Sequence, residues 1–97
     1  MKIPGLSERE TALIEDVLNR HPEIHGVILY GSRATGTAGL SSDIDLALEG
    51  ITDPLKAAAI ASELDELPLP YKFDVRALDT LRSTPLLESI RASGIPL

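Results

Sequence analysis

Gly31-Ser32 is followed, after ten residues, by Asp43-Ile44-Asp45. The residue types suit a particular chemistry. Glycine lets the backbone approach a phosphate with no Cβ in the way, and serine adds a hydroxyl donor. Two aspartates two residues apart on a strand emerge on the same side with Cα atoms roughly 6.5 to 7 Å apart, so both reach one cation between them. A turn offering backbone N–H groups and a hydroxyl to phosphate oxygens, running into a strand that offers hard oxygen ligands, is what metal-assisted transfer of a phosphorylated group needs. The pattern points to a nucleoside triphosphate and magnesium.

A third carboxylate on a neighbouring strand would complete a site for one or two magnesium ions, and Asp74 is the later acid whose strand phase makes this natural. Three carboxylates on one face repel one another strongly, so the arrangement makes little sense as architecture alone; a cation resolves it. In a two-metal displacement, Asp43 and Asp45 would hold the nucleotide metal, and Asp74 with one or both of them the metal that activates the acceptor hydroxyl. Arg33, beside Ser32, stands to touch phosphate or to pair with a surface acid. If a helix starts at Ser32, its free N–H groups add a favourable dipole at the phosphate.

Neighbouring residues carry plainer readings. Gly36 and Gly39 suit backbone turns, and Ser41 and Ser42 suit caps or loop ends. His21 and His25 flank Pro22 at a helix-to-strand connection, where a solvated or locally hydrogen-bonded histidine is the usual outcome. Lys72 and Arg76 read as surface partners for carboxylates, and Tyr30 and Tyr71 as core packing rather than platforms for adenine.

The elements that must hold these residues are legible in order. Ser7 with Glu10 three residues on fits a capping box, and Leu13, Ile14, Val17 and Leu18 recur at helical spacing, predicting a helix over residues 7 to 20, before Pro22. Residues 25 to 30 form a short, mostly apolar run ended by Gly31, a buried strand that delivers the chain to the turn. In a second strand, residues 43 to 49, the period of two puts Asp43, Asp45, Ala47 and Glu49 on one face and Ile44, Leu46 and Leu48 on the core side. Asp53 and Pro54 open another helix with Ala57, Ile60, Ala61 and Leu64 inward, closed by Pro68 and Pro70. A third strand, residues 71 to 76, turns Tyr71, Phe73 and Val75 one way and Lys72, Asp74 and Arg76 the other. A final helix starts at Thr84 and Pro85, turns Leu86, Leu87 and Ile90 inward, and ends at Gly94.

With 97 residues the chain has room for one domain and no separate substrate domain. A net charge of −6, from 15 acidic and 9 basic side chains, excludes tracking along DNA or RNA, which needs clustered Lys and Arg. Without cysteine there is neither a disulfide scaffold nor a thiolate zinc site. No leader pattern opens the sequence, and no apolar stretch approaches the ~18 to 20 residues that cross a bilayer, so a cytoplasmic protein is expected. A hydrophobic fraction of 43% suggests that some apolar surface is covered by a partner or a second copy.

Set together, Gly31-Ser32, the ten-residue spacer, Asp43-Ile44-Asp45 and Asp74 resemble the signature of the DNA polymerase beta superfamily of nucleotidyltransferases. The fuller string Gly-Ser-Arg-Ala-x-Gly, the Ser-Asp-Ile-Asp-Leu strand and the ending from Leu87 to Leu97 resemble the minimal nucleotidyltransferase (MNT) antitoxins of the MntA group, over nearly the whole chain. The resemblance implies an α/β (α+β) fold, a small mixed sheet flanked by helices, in agreement with the element order. It also implies Gly31 and Ser32, with Arg33 beside them, at the nucleotide phosphates, and Asp43, Asp45 and Asp74 at the metals. The group's members are typically encoded beside a HEPN-domain ribonuclease toxin and are implied to transfer AMP from ATP to a toxin tyrosine. Two other expectations stand beside this one: a non-catalytic module that covers its partner's active site, and a transferase acting on a small-molecule hydroxyl. Homo-oligomerisation is open.

Overall fold

Helix α1 (Glu8–Leu18) begins where its capping box predicts: the Glu10 N–H donates to Ser7 Oγ at 3.1 Å and the Ser7 N–H to Glu10 Oε1 at 2.9 Å. Its apolar stripe buries Ile14, Val17 and Leu18. Strand β1 (Gly26–Tyr30) follows, then one helical turn, α2 (Ser32–Thr35). Strand β2 (Ile44–Glu49) leads to α3 (Pro54–Asp65), where Asp53 accepts the Leu55 N–H at 3.0 Å and Pro54 occupies the first turn. Strand β3 (Phe73–Ala77), a short 3-10 turn (Leu78–Thr80), α4 (Thr84–Ser93) and a two-residue strand β4 (Ile95–Pro96) complete the order. These elements belong to a computed structural model that describes residues 1–36 and 43–97.

The sheet runs β3-β2-β1-β4. β1 pairs antiparallel with β2 and with β4, and β2 pairs parallel with β3. A parallel pair requires a crossover of about a dozen residues or more, which α3 and its flanks supply. The fold is the expected small mixed sheet with helices.

Alternation along the strands divides the sheet into two faces. One carries Leu29, Ile44, Leu46, Leu48 and Phe73, and packs with Ile14, Val17 and Leu18 of α1 and with Ile60 and Leu64 of α3 in the main core. At roughly 1.5 to 3 kcal/mol for each fully buried large aliphatic side chain, this face supplies most of the driving force for folding. Ala61, expected inward with Ile60 and Leu64, is only half-buried.

The opposite face corrects the simple picture of a polar outer side. Ala47, in phase with the carboxylates, is fully buried, and it clusters with Tyr30 and Ile90, bordered by Ile28, Leu78, Leu81 and Leu86. α4 therefore packs on the carboxylate face, not on the main core, because β1 presents Ile28 and Tyr30 there and these need cover.

Two further departures concern the strands. Tyr71 precedes β3, which begins at Phe73 and runs to Ala77. β4 was not expected: Ile95–Pro96 pairs with Ile28 and Leu29 at the sheet edge, a place that tolerates a proline lacking its N–H. Gly94 ends α4, its N–H reaching the Ile90 carbonyl at 2.8 Å; a Cβ there would collide with that carbonyl and press on Ile28.

Candidate functional site

The register of three strands brings together residues far apart in the chain. Tyr30 of β1 lies opposite Asp45 of β2, and Asp45 lies opposite Asp74 of β3. One row across the sheet thus reads Asp74, Asp45, Tyr30. In the next row, Arg76, Ala47, Ile28, Pro96, the middle pair Ala47 and Ile28 pack with Ile90 of α4 while Arg76 and Pro96 are exposed. Asp43 stands two residues before Asp45 and is exposed.

Gly31 closes β1 with φ +76° and ψ −156°, a conformation that an L side chain rarely adopts. A second constraint acts at the same point: a Cβ on Gly31 would overlap the Asp45 carboxylate. The turn and the acid are therefore packed against each other, and glycine is what allows it. From Gly31 the chain enters α2, with the Ala34 and Thr35 N–H groups returning to the Gly31 carbonyl at 3.1 and 3.2 Å.

Charge crowds on this face. The Asp45 carboxyl is pushed above the usual carboxylate range, first by burial and then by the negative charges of Asp74 and Asp43, with Arg76 opposing. Burial, and after it Asp74 and Asp45, push the Tyr30 phenol up to about 12, which keeps it a neutral donor. Its hydroxyl donates to Asp74 Oδ2 at 3.4 Å, and Arg76 Nε meets the same oxygen at 3.4 Å. The Arg76 guanidinium is in turn held charged chiefly by Asp74.

The oxygen donors of Asp43, Asp45 and Asp74 are of the hard type that magnesium prefers, and the mutual repulsion raising Asp45 is what a divalent cation would relieve. In donor type the set fits a cation. Among the described residues, no three such side chains are already gathered into a cluster that could hold one.

A sequence profile of the family described as Polymerase beta, Nucleotidyltransferase matches residues 13–97. The chain belongs to the polymerase beta nucleotidyltransferase family. No curated protein matches it. Among solved structures, this nucleotidyltransferase is similar to a toxin–antitoxin solved with AMP-PNP: identity is 25%, TM-score 0.72, covering 94% of this chain and 72% of that one. A variant of the MntA–HpeT toxin–antitoxin is 26% identical at TM-score 0.71, covering 95% of this chain and 72% of that one. The fold is shared at 22% identity and TM-score 0.64 by the Shewanella oneidensis complex of a tri-AMPylated HEPN toxin with an MNT antitoxin, covering 90% of this chain and 66% of that one. These three structural neighbours come from toxin–antitoxin complexes, one of them with an MNT antitoxin.

Within this nucleotidyltransferase, several side chains sit differently from their sequence reading. Arg33 is only 4% exposed, not a surface residue: Nη1 donates to the Pro4 carbonyl at 3.1 Å and the guanidinium lies 4.8 Å from the Tyr71 ring centre. Tyr71 continues the chain of contacts to Glu10 Oε2 at 3.2 Å. His21 is not solvated: Nε2 meets Glu63 of α3 at 2.6 Å, while Nδ1 lies 3.8 Å from the neighbouring Glu23 carboxylate. Gly39, Ser41 and Ser42 lie outside the described residues. Tyr30, read as core packing, is buried as expected, and its hydroxyl also reaches Asp74, a contact that its place as the last residue of β1 allows.

Proposed function

We propose that this chain is a single nucleotidyltransferase domain that moves AMP from ATP to a hydroxyl, specifically a tyrosine of a HEPN-type toxin, and so acts as a cytoplasmic antitoxin. The observation that carries the reading is the Gly31 turn packed on Asp45, with Asp74 in register beside it. Further support comes from the AMP-PNP complex of one neighbour and the AMPylated toxin of another.

In this reading Gly31 and Ser32 receive the nucleotide phosphates, and the buried Arg33 lends positive charge from behind the turn while fixing it to Pro4. Asp43, Asp45 and Asp74 would hold one or two magnesium ions, which would supply positive charge against the triphosphate and lower the pKa of the acceptor hydroxyl. The tyrosine oxygen forms its bond to the α-phosphorus, pyrophosphate leaves, and the hydroxyl proton is lost. The acceptor is presented by the partner.

ATP labelled at the α-phosphate or at the γ-phosphate tests the reaction class. Label in the toxin from the first and not from the second is expected; the reverse would mean phosphoryl transfer. A groove of about 510 Å³ between β1, β4 and α4, lined by Ile28, Leu78, Leu81, Leu87 and Ile90 together with Asp79 and Arg91, favours a second reading, in which the domain also covers its partner physically. A carboxylate-dead variant that still protects cells would then be expected.

A further inference from the structure

One oxygen of the carboxylate face has two protein partners of opposite character. Asp74 Oδ2 receives the Tyr30 hydroxyl at 3.4 Å and Arg76 Nε at 3.4 Å. The Tyr30 side chain is held in place: the residue is 5% exposed and packs with Ala47 and Ile90 under α4. Arg76 is the contrary case, with its side chain 48% exposed and its partner Asp74 44% exposed, so it swings away at little cost.

We propose that these two residues set the cation affinity of the site through Asp74, Tyr30 as a fixed positioning donor and Arg76 as a resident counter-charge that yields Asp74 to an incoming divalent cation. The inference rests on the reading of Asp43, Asp45 and Asp74 as the ligand set. Arg76 partly neutralises the crowded carboxylates before any ligand arrives, and the Tyr30 hydroxyl keeps the third carboxylate in a defined position. Arg76 and a bound cation then compete for one oxygen and repel each other. The Tyr30 hydroxyl holds the same oxygen without competing, because a neutral donor leaves the carboxylate charge available. Tyr30 is too deeply packed to leave its place and serve as an acceptor.

The two roles predict opposite signs. Manganese binding to the whole protein, followed by the electron paramagnetic resonance of the free ion, is the measurement. Arg76→Gln should bind manganese about 2- to 5-fold more tightly than the native protein, the range expected from losing an exposed ion pair. Arg76→Lys, which keeps the charge, should stay at the native value. Tyr30→Phe should bind about 10-fold more weakly, as outer-shell partners of metal ligands do. A merely structural role would lower affinity in both or leave both unmoved. Arg76→Gln at or below native affinity, or Tyr30→Phe unchanged, overturns the inference while Asp74→Asn still weakens binding. If the native protein binds no manganese, or Asp74→Asn binds as well as native, the ligand set itself is wrong and the inference falls with it.

Discussion

Replacing Asp45 with asparagine should make the protein more stable at neutral pH in the absence of divalent cations. Asp45 is half-buried opposite Asp74, with Asp43 two residues away, and its carboxyl is raised first by burial and then by those two charges. An acid whose folded pKa lies above its unfolded value opposes folding when ionised. That cost is full above the folded pKa and vanishes as pH falls below the unfolded value of 3.8. Like charges directly opposite on adjoining strands cost up to about 1 kcal/mol, and exposure to water screens part of it, so about 0.5 to 1 kcal/mol is expected. For a domain of this size that is a rise of about 2 to 8 °C in Tm. Calorimetric melts of native and Asp45→Asn protein in EDTA at neutral pH and again near pH 3.5 give the answer: the advantage should be present in the first and shrink in the second. Magnesium at ten times its Kd should stabilise the native protein by about 1.4 kcal/mol and the variant by less, reversing or closing the gap. An Asp45→Asn variant that melts lower than native in EDTA at neutral pH would refute the reasoning, because the carboxylate would then be holding the fold together.

Gly31→Ala should cost about 1 to 2 kcal/mol from its positive φ alone, and more from the overlap with the Asp45 carboxylate, read as a lower urea midpoint with an unchanged slope. Ser7→Ala should cost about 1 kcal/mol through the lost cap. The Glu10 carboxyl is held below its ordinary value, chiefly by the Ser7 N–H, so its contribution is present above pH 4.5 and is lost as pH falls through the lowered value; Glu10→Gln should flatten the acid limb of a stability profile. Ile90→Ala should cost about 2 to 5 kcal/mol and, by uncovering Tyr30, lower transfer activity in steady-state kinetics with the carboxylates intact.

How much of this was legible depends on the range of the signal. The α1 cap, the Asp53-Pro54 start of α3 and the alternation of β2 are local patterns, and each element falls within a few residues of its expected place. The pairing of Asp45 with Asp74 was legible too, because both phases were read and only one later acid matched. Long-range facts were not. The stripe of α4 says that Leu86 and Ile90 need cover but not on which face of the sheet; that depends on Ile28 and Tyr30 being left bare by α1 and α3. Two residues containing a proline carry no strand signal, so β4 is visible only once Val27 offers its carbonyl to the Leu97 N–H at 2.8 Å. Arg33 and His21 find partners at Pro4 and Glu63, across the fold, where composition alone suggested the surface.

The central claim is that the Asp43, Asp45 and Asp74 face transfers AMP to a protein hydroxyl. Its most direct test is the intact mass of a HEPN-type partner after incubation with this protein, ATP and magnesium, beside Asp43→Asn. The account predicts a mass gain of one or more AMP units with the native protein, and none with Asp43→Asn or in EDTA. An equal gain with Asp43→Asn, or no gain when the two proteins bind each other, would contradict it.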